Sequence, residues 1–382
     1  MSILSERTET DLQVDKVVEE LKAREEPINF SEERINEIFE FHKRYHPIEH
    51  APQFFARQIK GLDEWKILVG LATISAPKPF HIISIGDPAC GKSEVAQAFD
   101  EITPNTTYRW GSKLSRAGLT VAKVGRHIHI GALPRSHWGQ CFLDEFNLLP
   151  RTEASALLAS MQHGWFSVEK ANIKGDYIPA KCSITGMANP RGDYFRSTHP
   201  SVIEKQIPFS SKALLTRFHA IHLILRPSVA EFKELSEHQI KSKLRKIDNV
   251  FQTDDEIKIW GDYVEFARRI NVDRWNRLER YTHMISAFTT EAYRQASKTR
   301  SALAIPISPR INEGLMNLSE CYARASLRTT VTQNDVAHAI TIIAKSLKMC
   351  GLDTQLAYKA VIKAIPEAKE MPNLQELKEG GS

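Results

Sequence analysis

Apolar residues recur first at helical, then at strand, then again at helical spacing along the 382 residues. Leu12, Val17 and Leu21 lie at helical spacing among charges and predict a short solvated helix over residues 10–25. A second helix is expected from Ser31 to just before Pro47, with Glu32 and Glu33 at its positive end and Phe30 and Ile35 as a hydrophobic staple. Ile59, Leu62, Trp65, Leu68, Val69 and Leu71 continue an amphipathic helix from Phe55 to Ala76.

The period then shortens. Ile82-Ile83-Ser84-Ile85 is a β-branched run, and a helix follows from Ser93 to about Ile102. Two alternating runs flank Gly125-Arg126 as a tight hairpin, with His127 and His129 on one face and Ile128 and Ile130 on the other, which favours a strand over a metal site. Residues 140–146 form a further strand and 152–163 a helix. Trp165–Lys170 and Lys181–Gly186 are expected to pair as a second hairpin with Ala171 to Pro179 as its tip, and 221–225 is the last strand.

Beyond Pro227 the spacing is helical over 229–246, 254–269, 273–300, 309–326 and 333–348. Thr253 with Glu256 and Thr332 with Asp335 mark two of the starts. These patterns predict an α/β fold, a parallel sheet sandwiched by helices with two β-hairpin inserts, followed by an all-helical lid. The division expected is an acidic helical arm over 1–50, an α/β core over 51–226, a lid over 227–350 and a tail over 351–382 that frays from Pro366.

The formal charge is +5, but residues 1–27 hold eight acidic and four basic side chains, so the remainder carries about +9. That permits a nucleic-acid partner. Five scattered cysteines without a C-x-x-C pair point to reduced thiols. No apolar run approaches the ~20 residues of a membrane span and the N-terminus is too acidic for a targeting peptide, so a cytoplasmic protein is expected, nucleoid-associated if the source is prokaryotic.

The chemistry begins where the first strand stops. Gly86-Asp87-Pro88-Ala89-Cys90-Gly91-Lys92-Ser93 has the spacing G-x-x-x-x-G-K-[ST] between a strand and a helix, a loop whose backbone N–H groups cradle a β-phosphate. Lys92 would neutralise the β/γ oxygens of a nucleotide and Ser93 would ligate Mg²⁺. Some fifty residues on, Asp144 and Glu145 end an apolar strand, where Asp144 can hold Mg²⁺ through water and Glu145 can polarise the attacking water. Asn189 ends another strand at the same sheet edge, a place from which an amide can orient that water.

Gly86 to Ser93, Asp144-Glu145-Phe146, Ala188-Asn189-Pro190, Leu214-Leu215-Thr216-Arg217-Phe218 and Ser308-Pro309-Arg310 follow in the order of an AAA+ ATPase. More narrowly, residues 45–348 resemble the ATPase module of the minichromosome maintenance (MCM) replicative helicases. The resemblance implies that Lys92, Asp144, Glu145, Asn189, Arg217 and Arg310 are catalytic, with Arg217 as an arginine finger and Arg310 as sensor 2, both acting on a neighbouring subunit's nucleotide. It also implies a homo-oligomeric, hexameric ring around single-stranded DNA. The inserts at about 118–133 and 165–186 are similar to the family's helix-2 insert and presensor-1 hairpin, so Lys170, Lys174, Lys123 and Arg126 would contact DNA, attracting phosphates irrespective of sequence.

Gly91 stands where this family more often has alanine, and Asn147 where it usually has aspartate. The first hairpin is short, and an acidic arm is expected in place of the family's N-terminal OB-fold and zinc domain. The reading is therefore an ATP- and Mg²⁺-dependent ring motor that translocates on or unwinds DNA in a minimal or mobile-element replication system, with a loader or replication partner. Two alternatives stay open: a protein remodeller of MoxR or magnesium-chelatase type, and an ATP-gated loader or interaction module for another helicase.

Overall fold

A computed structural model describes residues 9–124, 127–150, 152–167, 177–208, 212–225, 227–245, 253–275, 278–298 and 307–378. Its centre is a five-stranded sheet built from β1 (Ile82–Gly86), β2 (Thr106–Trp110), β5 (Gln140–Asp144), β8 (Ser183–Ala188) and β9 (Ala220–Ile224), in the order β2-β5-β8-β1-β9. Every pairing is parallel. Parallel sheets are covered on both faces, and all five residues of β1 are accordingly buried.

Two small antiparallel hairpins leave this sheet. β3 (Val121–Val124) pairs with β4 (His127–Ile130) across a two-residue connection. His127 and His129 are exposed, while Ile128 and Ile130 are half-buried. The hairpin follows a short helix, Arg116–Leu119, in which the Ser115 hydroxyl accepts the Gly118 N–H at 3.2 Å. The second hairpin pairs β6 (Trp165–Ser167) with β7 (Tyr177–Pro179).

Here the expected pairing is corrected. Residues 183–186 do not return along 165–170; they form β8, lodged between β5 and β1 and buried throughout. The run Ser183-Ile184-Thr185-Gly186-Met187-Ala188 carries no charge, as a strand covered on both faces requires, whereas Trp165-Phe166-Ser167 alternates exposed and buried positions, with Phe166 opposite Ile178.

The helix expected over 55–76 is also broken. A single turn, Ala51–Phe54, precedes an irregular segment, and the helix proper is Asp63–Thr73. Ala56 and Gly61 adopt φ of 46° and 84°, which interrupt a right-handed helix. The Lys66 ammonium, 1 % exposed, donates to Ala56 O at 3.0 Å and Ile59 O at 2.6 Å and so holds that segment in its bent form.

Helices Val229–Arg245, Asp254–Arg269, Leu278–Lys298, Arg310–Ala325 and Gln333–Lys348 make the second half. Both expected capping boxes are present, at Thr253 with Glu256 and at Thr332 with Asp335. Residues 274–275 instead pair as a short strand with 330–331, so the third helix begins only at Leu278. This half is bolted to the α/β core by Arg268, fully buried, which donates to Thr73 O at 2.9 Å and Pro104 O at 3.0 Å. No described helix is long and apolar enough to cross a membrane.

Helices Glu9–Lys22 and Glu32–Tyr45 lie against the body of the protein. The first buries Val14 and Leu21 and packs on β4 and β7, while Arg34 pairs with Asp262 at 2.6 Å on the helical half. At the other end, the segment expected to fray from Pro366 is ordered as far as Lys378. Helix Thr354–Ala364 is followed by Pro366–Glu370 and Pro372–Lys378, which packs on Gln333–Lys348. Leu374 and Leu377 are buried there, an apolar pair too short to register as a helical period. Replacing Leu374 with Ala is expected to cost about 2–5 kcal/mol in denaturant unfolding, where a frayed tail would show no change.

Candidate functional site

β1 delivers the phosphate-loop sequence to the carboxyl edge of the sheet, and helix Lys92–Asp100 takes over directly after it. Gly91 is the N-terminal cap of that helix with φ 91°, and a Cβ there would lie 2.7 Å from Ile59 Cγ2. Glycine is thus required by both conformation and space, which accounts for the departure from alanine. Ile59 is the residue whose carbonyl Lys66 holds, so the bent 55–62 segment is pressed against the loop.

Lys92 is 5 % exposed, and its Nζ donates to Gly86 O and Asp87 O at 2.8 Å each. It also lies 3.4 Å from Asn189 Oδ1 and 3.4 Å from Cys90 Sγ. Burial pushes the Cys90 thiol up, against the pull of the neighbouring lysine. Asp87 Oδ1 accepts the Phe195 N–H at 2.9 Å, which fixes the loop's first turn. Pro88 and Ala89 complete it, Ala89 at φ 58°.

Asp144 and Glu145 leave β5 at the same edge. Asp144 Oδ1 accepts the Glu145 N–H at 2.8 Å, and Oδ2 accepts the Tyr108 hydroxyl. Glu145 takes φ 49°, ψ 38°, a left-handed conformation that costs on the order of 1 kcal/mol, and its Oε2 accepts the Ser112 hydroxyl. Asn147 Oδ1 accepts the Asn189 N–H at 3.2 Å. The amide that stands where aspartate is usual therefore anchors the backbone of Asn189, whose side chain faces Lys92.

Tyr108, Ser112 and Ile59 were not singled out by the sequence. Thr106-Thr107-Tyr108-Arg109-Trp110 is rich in β-branched and aromatic residues after the Pro104-Asn105 turn, the signal that would have marked β2 and its edge. The residues present fit Mg²⁺ and a triphosphate: the Ser93 hydroxyl and Lys92 ammonium open a helix at the sheet edge where the Asp144 carboxylate, held by Tyr108, also emerges.

Arg217 and Arg310 form a separate group. Arg217 precedes β9, whereas Lys92 follows β1, and these strands run parallel with Ile82 opposite Ala220 and Gly86 opposite Ile224. The two groups thus lie at opposite edges of the sheet, roughly 17 Å apart by the rise of a five-residue strand. Burial and the Arg310 charge both lower the Arg217 pKa, so the two guanidiniums are neighbours, and Arg217 Nη1 is buried with no hydrogen-bond partner.

Beneath them lie two stacked histidines, His81 and His219, with ring centroids 5.3 Å apart. His81 Nδ1 accepts the Ile184 N–H and His219 Nδ1 accepts the His81 N–H, so each ring is a neutral Nε2–H tautomer. Burial holds His81 down to about 4 and His219 well below its ordinary value. Helix Arg310–Ala325 docks on them through Gly314, where a Cβ would lie 3.0 Å from His219 Cβ.

Lys123 lies near the end of β3, one residue before the connection, and Arg126 falls outside the described residues, as do Lys170 and Lys174. What is described of the second hairpin is its root. Trp165 and Tyr177 are 37 % and 62 % exposed, with ring centroids 4.2 Å apart, and His163 stacks on Trp165 at 5.3 Å.

Replacing Gly91 with Ala is expected to weaken binding of a fluorescent ATP analogue more than tenfold, with part of the loss recovered when Ile59 is also Ala. Unchanged affinity in the single variant would show that neither the positive φ nor the Ile59 contact shapes the loop.

Residues 34–243 match the MCM P-loop domain and residues 259–347 the MCM AAA-lid domain. Among curated proteins, the DNA replication licensing factor MCM4 of Arabidopsis thaliana is 28 % identical over 357 residues, 87 % of this chain and 41 % of that protein. The minichromosome maintenance protein MCM of Saccharolobus solfataricus is 26 % identical over 282 residues, 72 % of this chain and 40 % of its own length. DNA helicase MCM8 of Homo sapiens is 26 % identical over 310 residues, 70 % of this chain and 36 % of that protein. The chain spans about two fifths of the length of the relatives it matches. With the P-loop domain alone matching more than half of its residues, this chain belongs to the minichromosome maintenance family.

Proposed function

We propose that this chain hydrolyses ATP with Mg²⁺ at sites shared between neighbouring copies of a ring, and that the ring, hexameric as the resemblance implies, moves on or unwinds single-stranded DNA. The observation that carries the shared site is the separation of Arg217 and Arg310 from Lys92 by the length of the sheet. Two adjacent guanidiniums, one with a buried unpartnered nitrogen, are suited to the phosphates of a second molecule.

Within one copy, Lys92 and the loop N–H groups would bind the phosphates, and Ser93 and Asp144 would hold Mg²⁺, which when bound would neutralise charge on the β- and γ-phosphate oxygens. Glu145 would leave its Ser112 partner to accept the proton of the attacking water. Asn189 would orient that water from beside Lys92. Arg217 and Arg310 of a neighbour would stabilise the charge developing on the transferred phosphoryl group, an effect worth three to five orders of magnitude in related hydrolases.

Lys123, Arg126, Lys170 and Lys174 would meet the DNA backbone from the hairpins. Trp165 and Tyr177 support the single-stranded reading, because exposed rings at a hairpin root offer faces on which bases stack, each worth roughly 1–3 kcal/mol.

Copies carrying Arg217→Ala mixed with copies carrying Lys92→Ala are expected to recover part of the ATP hydrolysis that each lacks alone. No recovery at any ratio would sink the shared site. Binding to oligo-dT should weaken steeply between 50 and 200 mM salt and fall ~10-fold or more when Trp165 and Tyr177 are both Ala. Salt-independent binding, or stimulation of hydrolysis by a protein client but not by DNA, would overturn the DNA reading.

A further inference from the structure

Tyr108 stands on β2 with its side chain turned to the edge where β5 ends, because β2 pairs in register with β5, Tyr108 opposite Phe142 and Trp110 opposite Asp144. It is 8 % exposed, and its ring packs edge-on against Trp110 at 5.6 Å. The hydroxyl donates to Asp144 Oδ2, the carboxylate oxygen not engaged by the Glu145 N–H. A side chain from β2 thus fixes the carboxylate that the proposed Mg²⁺ site requires from β5.

We propose that Tyr108 is a positioning residue for the divalent cation. Its phenol holds the Asp144 carboxylate in one orientation before the cation arrives. Oδ1 of Asp144 is already engaged by the Glu145 N–H at 2.8 Å and Oδ2 by the phenol, so the carboxylate can neither rotate nor withdraw. Mg²⁺ gains most from such rigidity, since it demands near-octahedral geometry at about 2.0–2.1 Å and sheds water reluctantly, whereas Mn²⁺ tolerates looser sites. Partners that hold metal ligands in place typically contribute 10–100-fold in metal affinity.

The inference rests on the Mg²⁺–ATP reading above, and the test separates the two. Binding of a fluorescent ATP analogue to the full chain is measured against Mg²⁺ concentration, against Mn²⁺ and in EDTA. Tyr108→Phe keeps the ring and its contact with Trp110 and is expected to raise the Mg²⁺ concentration for half-maximal affinity about tenfold. Affinity in EDTA should stay within twofold of wild type, and the Mn²⁺ midpoint should move less than the Mg²⁺ midpoint. In an Asp144→Asn background the same substitution should add less than twofold, because the phenol then has no carboxylate to hold.

An unchanged Mg²⁺ midpoint in Tyr108→Phe, or a tenfold loss that persists in the Asp144→Asn background, overturns the positioning role while the cation site stands. A wild-type chain whose nucleotide affinity ignores Mg²⁺ overturns the cation site and the inference with it. Equal losses in EDTA and in Mg²⁺ would assign Tyr108 to packing alone.

Discussion

Parallel, in-register pairing of β1 with its two neighbours is the constraint on which the rest of the molecule depends. With Ile85 opposite Ala188 and Gly86 opposite Ile224, the carboxyl ends of β1 and β8 come level, and Asp144 emerges beside them from β5. The phosphate loop, the paired acids and Asn189 therefore meet without any of them being near another in sequence. A shift of one residue in β8 would turn its side chains to the opposite face and carry Asn189 away from Lys92. The same register also divides the arginines from the lysine, since what leads into a parallel strand and what leaves it must lie at opposite ends.

Around that edge, the polar groups are held by neutral partners more than by opposite charges. Lys92 rests on two backbone carbonyls, Asp144 on a phenol and a backbone N–H, Glu145 on a hydroxyl and Asn189 on the amide of Asn147. Groups held this way are not already paired with an opposite charge, which suits recognition of a polyphosphate with a divalent cation. Near the opposite edge, two uncharged histidines lie within the field of the Arg310 charge. Their Nδ1 atoms accept backbone N–H groups, and protonating either ring would set another cation beneath two that already repel.

Much of this was legible beforehand because the evidence was local. Gly86 to Ser93 names a loop by spacing, Asp144-Glu145 ends an apolar run, and Thr253 and Thr332 cap helices within four residues of themselves. The errors came where a longer-range partner decided the outcome. Lys181–Gly186 alternates well enough to suggest a hairpin strand, but the vacant place between β5 and β1 claims Ser183–Ala188. Periodicity carried a helix straight through 55–62, where the Lys66 ammonium bends the chain. Leu374 and Leu377 look like stray residues in a polar tail until the helix they cover is known. Tyr108 escaped notice for the same reason: a tyrosine in a short strand acquires meaning only from the carboxylate opposite its hydroxyl.

The N-terminal helices are fastened at several points rather than one. Val14 and Leu21 are buried, Arg24 Nη1 donates to Arg135 O at 2.7 Å, Glu25 meets His137 at 2.9 Å, and Arg269 Nε donates to Glu26 O at 3.0 Å. Glu19 and Glu20 meanwhile remain in solvent on the helix that packs against β4 and β7. Negative charge is thereby carried on a helix whose position against β4 and β7 is set at several independent points. Loosening any single anchor would leave the others in place, so the acidic segment is held by redundancy and not by one contact.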